Sequence, residues 1–457
     1  MSRNRDLLKD NLWTLTLSLA IPTALAQLVN VLYAIVDRMF IGHIPIVGEL
    51  ALAGAGVAAP ITTLIISFAS LIGLGGAPIM AMKAGHGEKE EAEKIVSTAF
   101  YLLLILSFVL APLFFIFRNT FLLWFGASSQ TLEYASTYIG WYLLGTPFSL
   151  IAAAMNSYLI NQGKTGKAMI AVFLGAILNT ALDPIFIFVF KMGIQGAAIA
   201  TVLSQMASSL YILICLRSKH TDIKLNFKRY DFKQTPKILK FGLSPFIIIS
   251  TDSLLLIALN AILQYYGGPT EGDILITAAT IVQSYFTIMM NPLGGISAGC
   301  QGLTSYNYGA GEVDRVKKGI VCAQTVATTY TVIFTLATPL CAPAFARLFT
   351  TDPMMITTAA KYSQIFTLLI IPLSFQYINV DQMTSLGKVG YALSLSLFRK
   401  TVFFASTLIL PYFFGAGSAF WAEPICDLTA SVISTTLMWT TLPKILKQRK
   451  ESDLKVV

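Results

Sequence analysis

Residues 169–190 read MIAVFLGAILNTALDPIFIFVF, and how this stretch is solvated decides the fold. It carries a single charged side chain, Asp183. An α-helix needs about 20 apolar residues to cross a hydrocarbon core about 30 Å thick, so the stretch is long enough to span a bilayer. The rest of the chain repeats the pattern. Its 457 residues are 55% hydrophobic and 12% charged, with a mean hydropathy of +0.69. Soluble proteins carry about 25% charged residues, so a soluble core of this size would lack the surface to cover it. The apolar runs predict helical spans at 12–41, 50–82, 95–117, 135–160, 168–190, 193–216, 241–267, 274–305, 319–345, 361–384, 389–414 and 417–443. Twelve such spans make an all-α polytopic membrane protein.

The formal net charge of +9 invites a nucleic-acid reading, but its distribution argues against one. With the N-terminus inside, 25 basic side chains fall on the cytoplasmic side, and only Arg38, Arg118, Lys191 and Arg347 fall outside. The inner group includes Arg3, Arg5, Lys83, Lys164, Lys228, Arg229, Lys388 and Lys455. This positive-inside asymmetry places both termini in the cytoplasm, and a bacterial inner membrane is the expected location. The basic charge therefore orients the chain in the lipid bilayer, its expected surroundings, and no nucleic-acid partner is expected. The first apolar run, Leu12 to Phe40, is too long for the core of a cleavable signal.

Enzyme chemistry finds no foothold. Five cysteines (Cys215, Cys300, Cys322, Cys341, Cys426) lie in or beside apolar runs with no C-x-x-C spacing, and suit packing. The three histidines, His43, His86 and His220, fall at predicted loops. Neither H-E-x-x-H nor G-x-x-x-x-G-K-[ST] occurs, so the chain is expected to be no enzyme and no nucleotide-driven motor, with no cofactor.

The two halves share one plan. KAGHGEKEEAEKIVSTAF (83–100) recurs as NYGAGEVDRVKKGIVCA (307–323), setting Gly85 against Gly309 and Gly87 against Gly311. Pro22 answers Pro245, Pro147 answers Pro372, and Gly163–Lys164 answers Gly387–Lys388. All these offsets lie between 223 and 225, so a six-helix unit has been duplicated in parallel. The sequence divides into an N-terminal six-helix lobe (1–216), a polar cytoplasmic linker (217–240) and a C-terminal six-helix lobe (241–457). Paired repeats of this kind bind substrates near the repeat interface, which favours a transporter.

Carboxylates within spans are the strongest pointers to a site, because a charge in the bilayer is tolerated only beside water or a partner. Asp37 and Asp183 qualify in the first lobe, with Thr201 at a similar depth. Asn179 and Asp183 share a helix face at i, i+4. Asn30, Tyr33 and Asp37 follow i, i+3, i+7 along span one, and Gln27 extends the stripe inward. Pro22 and Pro184 interrupt the hydrogen-bond ladders of both helices. Two carboxylates in one poorly hydrated site do not both ionise cheaply, and they titrate as a pair. Such a pair takes up a proton, or a small hard cation with Asn179 and Thr201 adding neutral oxygens. The bland alternatives are an Asp37–Arg38 interfacial pair and a helix–helix hydrogen bond for Asp183. In the second lobe Asn260 stands where Asp37 would recur. Asp252 is a candidate for a second acidic site there, with Asp381, Glu423 and Asp427 as further acids. Glu423 and Asp427 bracket Pro424 and are expected to brace a broken helix.

With these residues in view, LAIPTALAQLVNVLYAIVDRMFIG, NTALDPIFIF, GIQGAAIATVLSQ and FWAEPICDL together resemble the multidrug and toxic compound extrusion (MATE) transporters, in their DinF/MepA-like branch. The resemblance covers essentially the whole chain. It implies two six-helix lobes and secondary active export of organic cations or drugs by antiport against protons or sodium ions. It also implies coupling roles for Asp37, Asn179, Asp183 and Thr201, and a drug-lining role for Gln27, Asn30, Tyr33 and Asn156. No metal is implied beyond sodium at the coupling site, and the chain is expected to act as a monomer. The chain departs from the family after span four, where Ile160–Asn161 precedes Gln162–Gly163 without the arginine often found there. One alternative is a lipid-linked precursor flippase of the same superfamily, disfavoured because the only bases within spans are Lys361, Arg399 and Lys400. From a different class, a channel or receptor would need a selectivity ring or an outer ligand domain, and the outer loops are short. Thirty Phe, 18 Tyr and 14 Met suit an adaptable apolar cavity.

Overall fold

The computed structural model describes residues 6–125, 127–219 and 221–454, which are helical nearly throughout and hold no strand. Arg3, Arg5, His220 and Lys455 lie outside the described residues. The helices are α1 (Leu12–Gly42), α2 (Gly48–Gly85), α3 (Lys89–Trp124), α4 (Leu132–Leu144), α5 (Thr146–Asn161), α6 (Thr165–Pro184) and α7 (Gly193–Arg217). They continue as α8 (Thr235–Gly309), α9 (Val313–Ala346), α10 (Pro353–Phe366), α11 (Ile370–Ser385), α12 (Val389–Phe414) and α13 (Ala422–Leu454). Among the described residues eight are long and apolar enough to cross a membrane, and α4–α5 and α10–α11 add two more as bent pairs. The bends are 63° and 49°, and each falls just before a proline, Pro147 or Pro372, whose missing N–H breaks the ladder. The remaining expected spans, 241–267 and 417–443, lie in the first limb of α8 and in α13 with its 3₁₀ lead-in, Ala416–Trp421. Within α8, Gly268 at φ 65° and ψ −165° separates two helical limbs.

The outer faces match a lipid environment. Leu336 and Leu340 on α9 are 75% and 81% exposed, and Phe108 and Ile116 on α3 nearly as much. A water-soluble monomer does not display such apolar faces. Cys215, Cys300, Cys322 and Cys426 are buried as packing requires, whereas Cys341 is exposed.

The duplication extends to backbone detail. Gly87 follows α2 and Gly311 follows α8 at φ 85° and 78°, and Gly163 follows α5 and Gly387 follows α11 at 73° and 76°. Each closes its helix with the same doubly bonded turn. Glu88 N–H donates to Lys83 O and Glu312 N–H to Asn307 O, both at 3.0 Å, with Lys164 to Leu159 and Lys388 to Met383 repeating the pattern. Glycine recurs at these positions because the left-handed conformation is disfavoured for residues with a Cβ.

By packing, the chain forms two compact units. The N-terminal unit is Leu25–Ser250, and the C-terminal unit joins the stretch ending at Ala24 to the chain from Thr251 onward. Each border follows closely on one of the paired prolines, Pro22 and Pro245. The start of α8 thus belongs with the N-terminal unit, although the linker precedes it in sequence. That linker is strapped to α3: Tyr101 Oη donates to Phe227 O at 2.9 Å, and Thr98 Oγ1 accepts from Asp231 N–H at 2.9 Å. In the C-terminal unit, Met383, Leu395, Met438 and Leu442 pack α11, α12 and α13 together.

Glycines let α8 approach α2 within the N-terminal unit. A Cβ on Gly242 would sit 1.7 Å from the Leu71 carbonyl oxygen, and one on Gly75 would meet Gly242 N at 2.7 Å. Small residues at such contacts allow close helix packing where lipid supplies no hydrophobic drive. Gly242→Ala is therefore expected to destabilise the purified protein by roughly 1–3 kcal/mol. Gly56→Ala, with nothing within 4 Å of its new methyl, is the matched control. Thermal unfolding in detergent checks this, and equal melting temperatures for the two variants would refute the packing argument.

Candidate functional site

Within the N-terminal unit three helices bring the sequence-predicted polar residues together. On α6, one helical turn separates Asn179 from Asp183, and Asn179 Nδ2 donates to Asp183 Oδ1 at 3.1 Å. The same amide points toward Thr201 Oγ1 on α7 at 3.4 Å, a long contact. Small residues explain why α7 comes so close. A Cβ on Gly196 would meet the Phe186 backbone at 2.8 Å, and Ser208 Oγ donates to Ala171 O at 2.8 Å across the helix pair. Asn179 and Asp183 are 2% and 0% exposed, so neither is a solvated surface group.

Asp37 reaches this pair from α1. Its carboxylate and that of Asp183 lie close enough for a carboxyl–carboxyl hydrogen bond. No ion pair joins Asp37 to Arg38 among the described residues, and the Arg38 side chain is exposed. Immediately after Asp183, Pro184 ends the α-helix and Ile185–Val189 form a π-helical turn. A π-turn widens the helix and re-aims its side chains, and such turns recur at functional sites.

Three buried oxygens here find no hydrogen-bond partner: Asp37 Oδ1, Asp183 Oδ2 and Asn179 Oδ1. Left bare, a buried carboxylate oxygen is costly. A set of carboxylate, amide and hydroxyl oxygens accepts a proton between the carboxylates, or suits a small hard cation.

The remaining predicted residues are less concentrated. Tyr33 lies on α1 within electrostatic reach of Asp37 and Asp183. Asn30 Nδ2 and Gln27 Oε1 pair along α1 at 3.4 Å. Asn156 stands on α5, half-buried, with an unpartnered Oδ1. Four residues outside the sequence reading join the site. Tyr138 reaches Thr201 and faces Asp37, and Tyr142 bonds Ser149 Oγ at 2.9 Å and reaches Gln205. The signal was present, because Tyr138 and Tyr142 are spaced i, i+4, as are Thr201 and Gln205.

In the C-terminal unit the acidic residues have other partners. Asp252 pairs with Lys400, and Ser297 Oγ donates to Asp381. Glu423 and Asp427 both accept from Arg399, which braces α13 against α12 across the start of α13. Asn260, opposite Asp37 in the repeat, supplies no charge.

Comparison with known proteins follows the same lines. The MatE family model matches residues 22–185 and 249–407, one stretch in each half. The chain is 24% identical over 429 residues to the multidrug export protein MepA of Staphylococcus haemolyticus (strain JCSC1435), covering 92% of each protein. It is 22% identical over 426 residues to MepA of Staphylococcus aureus (strain NCTC 8325 / PS 47), covering 91% of each. Among solved structures, the outward-facing conformation of a multidrug resistance MATE family transporter superposes with a TM-score of 0.90 at 22% identity, covering 98% of this chain and 99% of that one. The paired half-chain matches, and the fold shared over nearly the full length, show that this protein belongs to the MatE family.

Proposed function

We propose that this chain is a secondary active multidrug efflux transporter that exports organic cations or drugs by antiport against protons or sodium ions. One observation carries the coupling part of this reading. Asp37 and Asp183 meet at a buried site where three oxygens lack partners. The staphylococcal relatives are multidrug export proteins, which supports the substrate class.

The cycle follows from charge balance. Drug occupies the N-terminal unit along the Asn30–Tyr33 stripe while Asp37 is ionised. A proton or sodium ion taken up from outside neutralises Asp37 and removes the need to solvate its charge. α1 then repacks where Pro22 has weakened its ladder, and the drug leaves outward. Only a drug whose affinity differs between the two ion states can be driven in this way. Thr201 and Asn179 hold Asp183 in place through the exchange.

The deciding experiment uses purified protein in liposomes loaded with ethidium, with a proton or a sodium gradient imposed separately. Wild-type protein is expected to move dye under one of the two gradients, which names the ion. Asp37→Asn and Asp183→Asn are each expected to reduce that movement to the level of protein-free liposomes while leaving the protein folded. Full gradient-driven transport by Asp37→Asn would remove Asp37 from the coupling role.

We further infer a bacterial inner-membrane location, supported by the bacterial relatives, with both termini in the cytoplasm, supported by the charge asymmetry of the loops. A fluorescent protein fused to the C-terminus is expected to mature and glow, since its fold forms in the cytoplasm. Alkaline phosphatase fused at Thr350, beside the outer-side Arg347, is expected to be active. The reverse pattern would invert the topology.

A further inference from the structure

The C-terminal unit contains a charge cluster that the antiport reading does not use. Arg399 on α12 donates from Nη2 to Glu423, and from Nε and Nη2 to Asp427 Oδ1 at 3.2 and 2.9 Å. Asp427 is 0% and Glu423 5% exposed, so both carboxylates are out of solvent. One guanidinium thus faces two buried carboxylates, leaving the trio one negative charge in excess when all three are ionised.

The neighbouring groups do not cancel that charge. Lys400, the next residue on α12, pairs with Asp252 of α8. From α11, Tyr377 lies within electrostatic reach of Arg399 and is no cation. On α13 itself, Cys426 Sγ lies 3.8 Å from Asp427 Oδ1 and 3.9 Å from Glu423 Oε2, a weak donor with no positive charge. Counting Asp252 and Lys400 as a pair leaves the negative excess unchanged.

An independent observation shows where the missing positive charge belongs. Asp427 Oδ2 is buried and has no hydrogen-bond partner, although Oδ1 of the same carboxylate has two donors. An uncompensated buried charge is strongly destabilising, and two carboxylates on one counter-ion do not both stay ionised. A carboxylate oxygen of Glu423 and one of Asp427 lie within 4.8 Å of each other, so their two charges repel across buried surroundings. A metal ion fits poorly, because the guanidinium already sits against these oxygens.

We propose that Arg399, Glu423 and Asp427 form a second proton-binding site, in which either Glu423 or Asp427 holds one proton so that the cluster is neutral. The site opens to its surroundings through charged neighbours. Lys400 lies within electrostatic reach of Glu423, and its partner Asp252 has a side chain 63% exposed. A shift of Lys400 from Asp252 toward Glu423 would supply a positive charge and release the proton. The site stands whether or not Asp37 couples ion flow, since it shares no residue with that pair.

Infrared difference spectroscopy of the purified protein in H₂O and D₂O tests this directly, through the isotope-sensitive carbonyl stretch of a protonated carboxylic acid. Asp427→Asn and Glu423→Gln are each expected to abolish one such band at neutral pH, because either leaves Arg399 with a single ionised partner. Asp37→Asn is expected to retain that band, which separates this site from the coupling pair. Both variants should melt near the wild-type temperature, because the neutral amide imitates the protonated acid. The proposal is overturned if both variants keep every wild-type band, or if neither variant folds.

Discussion

A carboxylate removed from water has to find a proton, a cation or a set of donors, and the polar architecture of this protein follows from that constraint. In a soluble enzyme, water would relieve the debt. Within apolar spans it cannot, and each acidic side chain meets the demand differently. Asp252 takes Lys400, Asp381 takes Ser297, and Glu423 and Asp427 divide Arg399. Asp37 and Asp183 have no basic partner among the described ion pairs and turn to each other. The least satisfied carboxylates are therefore where an ion from outside has most to offer.

The same constraint shapes the backbone. Every peptide group in hydrocarbon must be bonded internally, so the spans are helices and departures from helix are confined to special residues. Pro147 and Pro372 bend their spans, Pro184 precedes a π-turn beside Asp183, and Gly268 separates the limbs of α8. These breaks lie at corresponding points of the two halves or next to the site. The helices are held together by close approach at glycine, as at Gly75 and Gly242, because lipid is as apolar as the side chains it meets.

Duplication preserved this frame while the charges diverged. The left-handed glycines that end corresponding helices agree closely in φ, yet Asn260 replaces Asp37 and no acid answers Asp183. Backbone turns impose the same steric demand in both copies, whereas side chains facing the interior are free to take different chemistry. One half thus holds a carboxylate pair without a base, and the other a carboxylate pair built around one.

The sequence by itself determined the class of protein, the helical spans and the acidic residues within them. Span length, hydropathy and charge asymmetry are local or additive properties, and a helix fixes which residues share a face, as with Asn179 and Asp183. It also contained the paired glycine turns, because a position that requires positive φ advertises itself as glycine. What it could not supply were contacts between helices distant in the chain. Tertiary structure alone decided that Tyr138 joins Thr201, that Arg399 and Lys400 in one span take up three acids from two others, and that the start of α8 packs with the N-terminal unit. The physical reason is that a helix face says which side chains point together, while the choice of neighbour depends on close-packing summed over the whole unit.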